Sequence, residues 1–303
     1  MRRSLLSELV RRDDPCEAIV EYIEAEYLEK LNLNSIESFY HRLEYELAKL
    51  ELWLYEVWGL SFYKDFLAYR GLREPAITRA FRYAKECGGN VLVSDGFSVR
   101  ELLVIKRALG DRFRKFELGY APAPTLTSNV ARIVFNVDTM HDAFTGLKTI
   151  EDKVWRMVMI EDVENPPRIG AQGGTAFFTY HPDGPLHHAE RYGVKFYGID
   201  RAIRELVNLV NRLLKVGRPL VVTGDHGYIF IGGKPEKTLW PGWRRAPRCG
   251  GDITTYGKLH IKIDDIGVAV GRRHCDITAK KRTISHGGIS ITESIVPIVL
   301  LTC

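Results

Sequence analysis

The sequence predicts an α/β protein with one mostly parallel sheet, preceded by a helical region. From about residue 86 onward, short apolar runs bounded by Gly, Pro, Asp or Asn alternate with amphipathic stretches, as strands alternate with helices in such folds. Residues 1–85 instead repeat apolar residues at helical spacing, with charged residues between them. We therefore expect an N-terminal helical region, 1–85, followed by an α/β domain, 86–303.

The composition predicts a globular protein of the cytoplasm. No apolar run approaches the ~20 residues that a membrane span requires, and charged residues return too early for a secretory leader. The five cysteines are scattered without CxxC spacing, which favours a reducing compartment. The net charge of +5 permits an anionic substrate or a nucleic acid but requires neither, so direct nucleic-acid binding stays open.

The N-terminal helical region carries stripes of Leu, Tyr and Trp but no catalytic constellation. Two interpretations account for it: an amphipathic cap that packs on the α/β domain, or a docking module for a protein partner. The sequence does not separate them.

The first strand is predicted at Val91-Leu92-Val93, and a helix is predicted from about Ser98 to Leu109. Asp95 follows the strand and so lies at its carboxyl end, where α/β proteins bind ligands. An Asp before a Gly also forms ordinary β-turns, so its position alone assigns no role. A second strand is predicted over 113–120.

A proline-rich stretch, 121–129, comes next and leads into a helix predicted over 130–135. Its Thr, Ser and Asn residues suit a helix N-cap, and a hydroxyl there lies where backbone N–H groups favour bound anions. Thr125 and Thr127 are thus either capping residues or candidate nucleophiles. The charged segment 139–167 predicts an irregular insertion or lid.

Histidines concentrate in the last part of the chain, where seven of the nine lie beyond residue 180. A strand predicted over 174–180 leads directly into a segment that holds His181, Asp183, His187 and His188. Such a crowd of imidazoles with an aspartate is typical of a metal site, although spacing alone does not identify the ligands.

A helix predicted over 199–214 leads to a buried strand that ends in Gly224-Asp225-His226-Gly227. Adjacent residues of a regular strand point to opposite faces. Asp225 and His226 can converge only where the strand has turned, and we expect the two glycines to give the backbone that freedom. A carboxylate and an imidazole at this edge suit a catalytic divalent metal, although an ordinary turn would also explain the stretch.

The remaining stretches are a basic and aromatic segment at 240–248, a predicted strand over 266–270 and an apolar run over 295–301 near the end of the sequence. The basic segment, with Arg248, would clamp a phosphate or a nucleobase, or form a solvated loop. A separate structural zinc site from His260, His274, Cys249 and Cys275 is not favoured, because the spacing matches no known pattern.

Taken in order, the motifs resemble PglZ domains of the alkaline phosphatase superfamily, which occur in phage-defence systems and some bacterial signalling proteins. They are Val-Ser-Asp95-Gly, Pro124-Thr-x-Thr127, Asp183-x-x-x-His187, Thr-Gly-Asp225-His226-Gly and His286-Gly-Gly-Ile-Ser-x-x-Glu293-x-x-x-Pro297. The last motif is the most PglZ-like, while the others are shared with nucleotide pyrophosphatases. The resemblance covers about 86–303 and implies an alkaline-phosphatase-like α/β/α sandwich.

The resemblance also implies a site that binds two divalent ions and transfers phosphoryl groups. One ion would be held by Asp95, Asp225 and His226, with Thr127 as both ligand and nucleophile; the other would be held by Asp183, His187 and His286. Zinc suits this mixture of ligands, with manganese as a harder alternative. Coordination would lower the pKa of the Thr127 hydroxyl, which is a poor nucleophile at neutral pH.

Several assignments stay open. His181 or His188 would replace His187 if the turn around Pro185 is different, and Thr125 competes with Thr127. Asn129 and Arg132 are candidates for binding the non-bridging phosphate oxygens. The expected activity is that of a metal-dependent phosphodiesterase or phosphatase acting on nucleotide-type phosphodiesters. The alternative is a non-catalytic PglZ module that binds or assembles partners in a defence or signalling complex.

Overall fold

The computed structural model describes residues 5–167, 173–191, 198–230, 248–250, 260–272 and 284–302, without the side chains of 6, 7, 10 and 188–191. The predicted basic segment therefore lies outside the described residues except for Arg248, as do His274, Cys275 and the His188 side chain.

Helices precede and cover a central sheet. In chain order they are α1 (Leu5–Arg11), α2 (Pro15–Tyr27), α3 (Ile36–Trp58), a π-helical segment (Phe62–Ala68), α4 (Tyr69–Arg73), α5 (Ala76–Glu86), α6 (Val99–Leu109), a 3-10 turn (Gly110–Arg112), α7 (Thr127–Phe135), α8 (Met140–Ala143), α9 (Asp183–Arg191), α10 (Ile199–Leu214) and α11 (Ile291–Ser294). The strands are β1 (Asn90–Ser94), β2 (Phe113–Tyr120), β3 (Thr145–Ile150), β4 (Lys153–Ile160), β5 (Thr175–Thr179), β6 (Leu220–Gly224), β7 (Ile229–Phe230), β8 (Cys249–Gly250), β9 (His260–Ile263), β10 (Ile266–Ala269), β11 (Ile284–Ser285) and β12 (Ile295–Leu301).

The central sheet has seven strands in the order β2-β12-β6-β1-β5-β4-β3. Strands β6, β1, β5 and β4 run parallel to one another, and β2 shares their direction because both β2 and β6 pair antiparallel with β12. Only β12 and the edge strand β3 run the other way. The prediction of an α/β fold with a mostly parallel sheet is confirmed.

Alternate residues of each central strand enter two different apolar clusters, one on each face of the sheet. Leu92 and Val222 belong to the cluster that includes α3, α6 and α10, whereas Val91 and Val221 belong to the cluster with α5, α7 and α8. Side chains that alternate across a buried sheet need apolar partners on both faces. The result is a three-layer α/β/α arrangement.

The segment 139–167, predicted as an irregular insertion or lid, contains α8 and a β-hairpin of β3 and β4, so the expectation of irregular structure is wrong. Strand β4 pairs in parallel with β5, and β3 closes the edge of the sheet. Trp155 and Met157 are buried while Val154 and Arg156 are exposed, an alternation of period two that the flanking charges obscured. The turn uses Glu151 and Asp152, both with positive φ, instead of the usual Asn-Gly pair.

The helices before residue 76 pack on the α/β core. Leu43, Leu47 and Leu54 of α3 share one buried cluster with residues of α6 and α10. Helix α5 lies instead in the cluster on the opposite face. This packing is that of a cap, while the division at residues 85 and 86 and a protein partner for the helices remain predictions. Among the described helices, none is both long enough and apolar enough for a membrane span.

Burial of Glu51 on α3 leads to a pH-dependent stability. Its carboxylate is fully buried, and burial raises its pKa to about 7 against the opposing effect of Arg272. An acid with a raised pKa in the folded state stabilises the fold below its unfolded pKa, and that contribution is lost as pH rises through the folded pKa. Glu51→Gln removes this loss.

We therefore predict that the free energy of unfolding of Glu51→Gln, minus that of the wild type, increases by roughly 3 kcal/mol between pH 4.5 and pH 8. Urea denaturation at the two pH values measures the difference. Glu46→Gln, at a half-exposed glutamate of the same helix, is the matched control substitution. A flat or decreasing difference for Glu51→Gln would show that the carboxyl is ionised throughout.

Candidate metal centre

The end of β6 holds Asp225 and His226 in a tightly packed turn. A Cβ on Gly224 would lie 2.8 Å from the Phe97 carbonyl oxygen, and one on Gly227 would collide with the Thr292 carbonyl. Neither glycine has positive φ. The two glycines therefore permit close approach of neighbouring backbone, and not the unusual backbone conformation that the sequence suggested.

Asp225, His226 and Asp95 form the first group of candidate ligands. Their candidate ligand atoms all lie within 4.8 Å of one another. His226 Nε2 is 3.6 Å from Asp95 Oδ1 and 3.7 Å from Asp225 Oδ2. His226 Nδ1 lies 3.0 Å from the Gly227 carbonyl oxygen, which can only accept, so we assign the hydrogen of the neutral ring to Nδ1. The lone pair of Nε2 consequently faces the two carboxylates.

Asp183, His187 and His286 form the second group, again with candidate ligand atoms within 4.8 Å of one another. The segment around Pro185 is the start of α9, so Asp183 and His187 share a helix face at i and i+4. His187 Nε2 is 3.3 Å and His286 Nε2 is 3.7 Å from Asp183 Oδ2. His286 Nδ1 is 3.3 Å from the Thr125 carbonyl oxygen, which turns its Nε2 toward the group.

The two groups adjoin each other. The His286 ring stacks on the His226 ring with centroids 4.5 Å apart, and the His187 ring meets His286 edge-on at 5.0 Å. The Asp183 N–H donates to the Asp95 carbonyl oxygen at 3.3 Å. The structure thus brings together the same two sets that the PglZ resemblance implies, while their role as ligands remains a prediction.

Thr127 lies beside the first group. Its Oγ1 is 3.0 Å from His226 Nε2. The N-cap residue of α7 is Leu126, and Thr127 is the first helical residue, so the expectation of a hydroxyl cap is wrong. Thr125 is fully buried; its hydroxyl donates to the Gly288 carbonyl and accepts the Gly287 N–H. Of the two hydroxyls, that of Thr127 faces the candidate ligands.

The charge balance of this region is unusual and fits bound cations. Asp95, Asp183 and Asp225 are at most 4% exposed, and each leaves one carboxylate oxygen without a hydrogen-bond partner. Within the described residues, the ion-pair partners found for these three are all histidines. Burial, and then repulsion from neighbouring aspartates, raises the pKa of Asp95 well above its usual value. Positive charge supplied by divalent ions would reverse this effect.

The histidines are suited to be neutral ligands. Burial, assisted by the neighbouring His226, lowers the pKa of His286 to about 3. An imidazole binds a metal in its neutral form, with the other ring nitrogen oriented by a hydrogen bond. The Gly227 carbonyl orients the His226 ring in this way, and the Thr125 carbonyl orients the His286 ring. Oxygen and nitrogen donors of this kind fit zinc, and also manganese.

The other candidates make different contacts. His181 Nε2 lies 3.0 Å from Glu205 Oε2 on α10, and His181 belongs to neither group. The Asn129 amide donates to the carbonyls of Pro122 and Pro124. Arg132 is exposed and pairs with Asp138.

Arg248, expected to clamp a phosphate or to lie in a solvated loop, is instead buried against Glu293. Sequence reasoning assigned no role to Glu293, although it stands in the last motif. Its Oε1 accepts the Gly288 N–H at 2.9 Å, which steadies the segment that follows His286. The sequence does place Glu293 five residues after the Gly287-Gly288 pair. Its partner, Arg248, lies 45 residues upstream, so no local pattern indicates that they pair.

We predict that the purified chain binds about two divalent ions, and that Asp225→Ala reduces binding far more than His181→Ala. Asp225 provides a buried oxygen within the first group, whereas the His181 ring faces Glu205. The protein is loaded with zinc or manganese, unbound metal is removed by gel filtration, and elemental analysis then measures the number of ions per chain. A wild type that stays metal-free, with an unchanged melting temperature in the presence of either ion, would contradict the prediction.

Comparison with known proteins gives distant likenesses only. No family model matches the chain, and no curated protein matches its sequence. Among solved structures, murine ectonucleotide pyrophosphatase/phosphodiesterase 5 is similar at 10% identity and a TM-score of 0.39, covering 71% of this chain and 88% of that chain. An inactive variant of the same murine protein in complex with AMP is similar at 9% identity with the same TM-score. The PglZ assignment remains a prediction.

Proposed function

We propose that the chain is a metal-dependent phosphoric ester hydrolase that uses Thr127 as its nucleophile. One observation carries the proposal: three buried aspartates with unpartnered oxygens surround imidazole lone pairs, next to one hydroxyl. A purely structural turn would pair these oxygens with donors, because buried carboxylates without partners destabilise a fold. A site built to hold cations has this composition.

In this proposal Asp95, Asp225 and His226 hold one ion, and Asp183, His187 and His286 hold the other. When bound, two such ions stabilise the attacking and leaving oxygens of an in-line displacement at phosphorus. The carboxylates balance the charge, and the backbone carbonyls at Gly227 and Thr125 keep the two rings in their orientation. Zinc is the preferred ion and manganese the alternative.

Thr127 is suited to attack phosphorus. It stands at the start of α7, a nine-residue helix whose N-cap side chain makes no capping hydrogen bond. N–H groups of a first helical turn favour phosphate oxygens. Attack by Oγ1 would form an oxygen–phosphorus bond while the bond from phosphorus to the departing ester oxygen breaks; the hydroxyl proton would pass to solvent, and the departing oxygen would take a proton from solvent to leave as an alcohol. Water would then attack phosphorus and break its bond to Oγ1, which restores the Thr127 hydroxyl and releases a phosphomonoester from a diester substrate. The Pro-Thr-x-Thr context supports nucleotide-type phosphodiesters as the substrates.

A second function, a non-catalytic PglZ module of a defence or signalling complex, is favoured by a different observation. Helices α2, α3 and α4 expose several large apolar side chains, which would suit a protein partner. They are Tyr22, Tyr45, Val57, Tyr69 and Leu72, at 39 to 59% exposure. Turnover of a nitrophenyl phosphodiester with added zinc or manganese separates the two functions.

We predict that Thr127→Ala lowers phosphodiester hydrolysis by about 10³-fold or more and leaves most metal affinity intact. The hydroxyl is one candidate ligand among several, but among the described residues it is the one hydroxyl found against the first group. Loss of a covalent nucleophile commonly removes several orders of magnitude of rate. Hydrolysis of a nitrophenyl phosphodiester, measured beside a metal count, tests this.

Matched variants at the neighbouring threonine complete this test. Thr125→Ser keeps the hydroxyl that bonds Gly288 and should retain activity, and Thr127→Ser keeps a nucleophile and should retain part of it. Full activity in Thr127→Ala together with loss in a Thr125→Ala variant would move the nucleophile two residues upstream. Full activity in both alanine variants would remove the mechanism.

A further inference from the structure

Helix α3 carries two carboxylates that face the interior of the protein. Glu51 is fully buried and the Glu44 side chain is 14% exposed, although both stand on an amphipathic helix whose other charges face solvent. Buried charges on a helix that merely covered a core would destabilise it unless they were paired. Their partners therefore indicate what this helix does.

The first partner is Arg100, which is fully buried on α6, five residues after Asp95. Its Nη1 donates to Glu44 Oε2 at 2.7 Å, and its Nη2 donates to the Tyr228 carbonyl. The guanidinium also lies 4.2 Å from the centroid of the Tyr228 ring. Tyr228 follows His226 by two residues. Glu44 thus ties α3 to both strand ends that carry the first ligand group.

The second partner is Arg272, which is 4% exposed. Its Nη1 pairs with Glu44 Oε1, its Nε lies 3.4 Å from Glu51 Oε1, and its Nη2 donates to Thr292 Oγ1 at 3.1 Å. Glu51 Oε1 also accepts the Ile291 N–H at 2.9 Å. These contacts fix α11, which begins five residues after His286.

The two branches meet beside the metal centre. The Glu293 carbonyl of α11 accepts the Gly227 N–H at 3.0 Å, directly after His226. A third contact comes from Tyr40 of α3, whose hydroxyl donates to Glu101 Oε1 at 2.6 Å. Glu101 also accepts from Tyr228 and from the backbone and side chain of Ser98, so it locks the start of α6.

We propose that Glu44, Glu51 and Tyr40 of α3 are positioning residues for the metal centre. Through Arg100, Arg272 and Glu101 they hold three segments that adjoin candidate ligands. These are the start of α6 after Asp95, the residues that follow His226, and α11 after His286. The N-terminal helices are then an integral part of the site and not a separable docking module. The inference rests on the proposed function only in taking these segments to bind divalent ions.

Metal affinity and hydrogen exchange test the proposal with Glu44→Gln, which removes the charge shared by both arginines. Zinc dissociation constants are measured by competition with a chromophoric chelator, at a temperature where circular dichroism shows every variant folded. Glu44→Gln should weaken zinc binding by about 10 to 100-fold, the usual effect of losing groups that orient metal ligands. In the metal-free protein, amide exchange of peptides covering 225–230 and 289–294 should accelerate.

Two controls separate positioning from general destabilisation. Leu47→Ala removes a buried side chain of the same helix outside the network, so it should lower the melting temperature without changing zinc affinity or exchange in the two peptides. Glu46→Gln changes a half-exposed charge of α3 and should change nothing. Tyr40→Phe removes one hydroxyl, should fold in any case, and should weaken zinc binding several-fold; it decides the matter if Glu44→Gln does not fold.

Wild-type zinc affinity and exchange in Glu44→Gln and Tyr40→Phe would overturn the proposal, as would equal weakening in Leu47→Ala. If the wild type hydrolyses phosphodiesters and Glu44→Gln and Tyr40→Phe bind zinc normally, only the positioning role is wrong. If the two variants weaken zinc binding as predicted but the wild type hydrolyses no ester, only the proposed reaction is wrong. If the wild type binds neither zinc nor manganese, the proposed function is wrong, and the exchange rates then decide the positioning role.

Discussion

The structure depends on the confinement of negative charge in an apolar interior. Strands β1, β5 and β6 are buried along their whole length, and Asp95, Asp183 and Asp225 follow or adjoin their ends. Two like charges about 4 to 5 Å apart repel by roughly 3 to 4 kcal/mol at an effective dielectric constant of 20. Neutral His286 does not offset that repulsion. Cations at the two groups would offset it, and the same positive charge is what phosphoryl transfer needs.

Ordinary parallel-sheet geometry brings these aspartates together, and residues outside the sheet pack behind them. The order β6-β1-β5 brings three carboxyl ends to one edge, where ligands of α/β proteins bind. If this site binds metal ions as proposed, holding it rigid before the ions bind would require support beneath the candidate ligands. The buried pairs from Glu44 and Glu51 of α3, with Arg248 and Glu293 behind His286, would supply that support. In this proposal the N-terminal helices share in the architecture of the site.

Local periodicity was sufficient to predict much of this protein. The α10 boundaries were predicted correctly and those of α6 to within a residue, because their apolar stripes are continuous. Strand ends followed by Asp or His pointed to most candidate ligands, because the carboxyl ends of parallel strands lie at one edge of a sheet. Helix α9 was not predicted, because Pro185 suggested a turn; proline is tolerated in a first helical turn.

What the sequence could not show is pairing over long range. Glu44 and Arg272 are 228 positions apart, and no local pattern relates them. The hairpin of β3 and β4 was missed for a related reason: a sheet edge keeps one face in solvent, so its charges resemble those of a loop. The Thr127 contact with His226 spans 99 positions and was inferred only through the family resemblance.

Anomalous diffraction at the zinc absorption edge, from crystals of the zinc-loaded protein, tests the central claim most directly. The account predicts two peaks: one about 2.0 to 2.2 Å from oxygens of Asp95 and Asp225 and a nitrogen of His226, and one at similar distances from Asp183, His187 and His286. An ordered crystal with no peak at these six residues, or with zinc only at other residues such as His181, would contradict it.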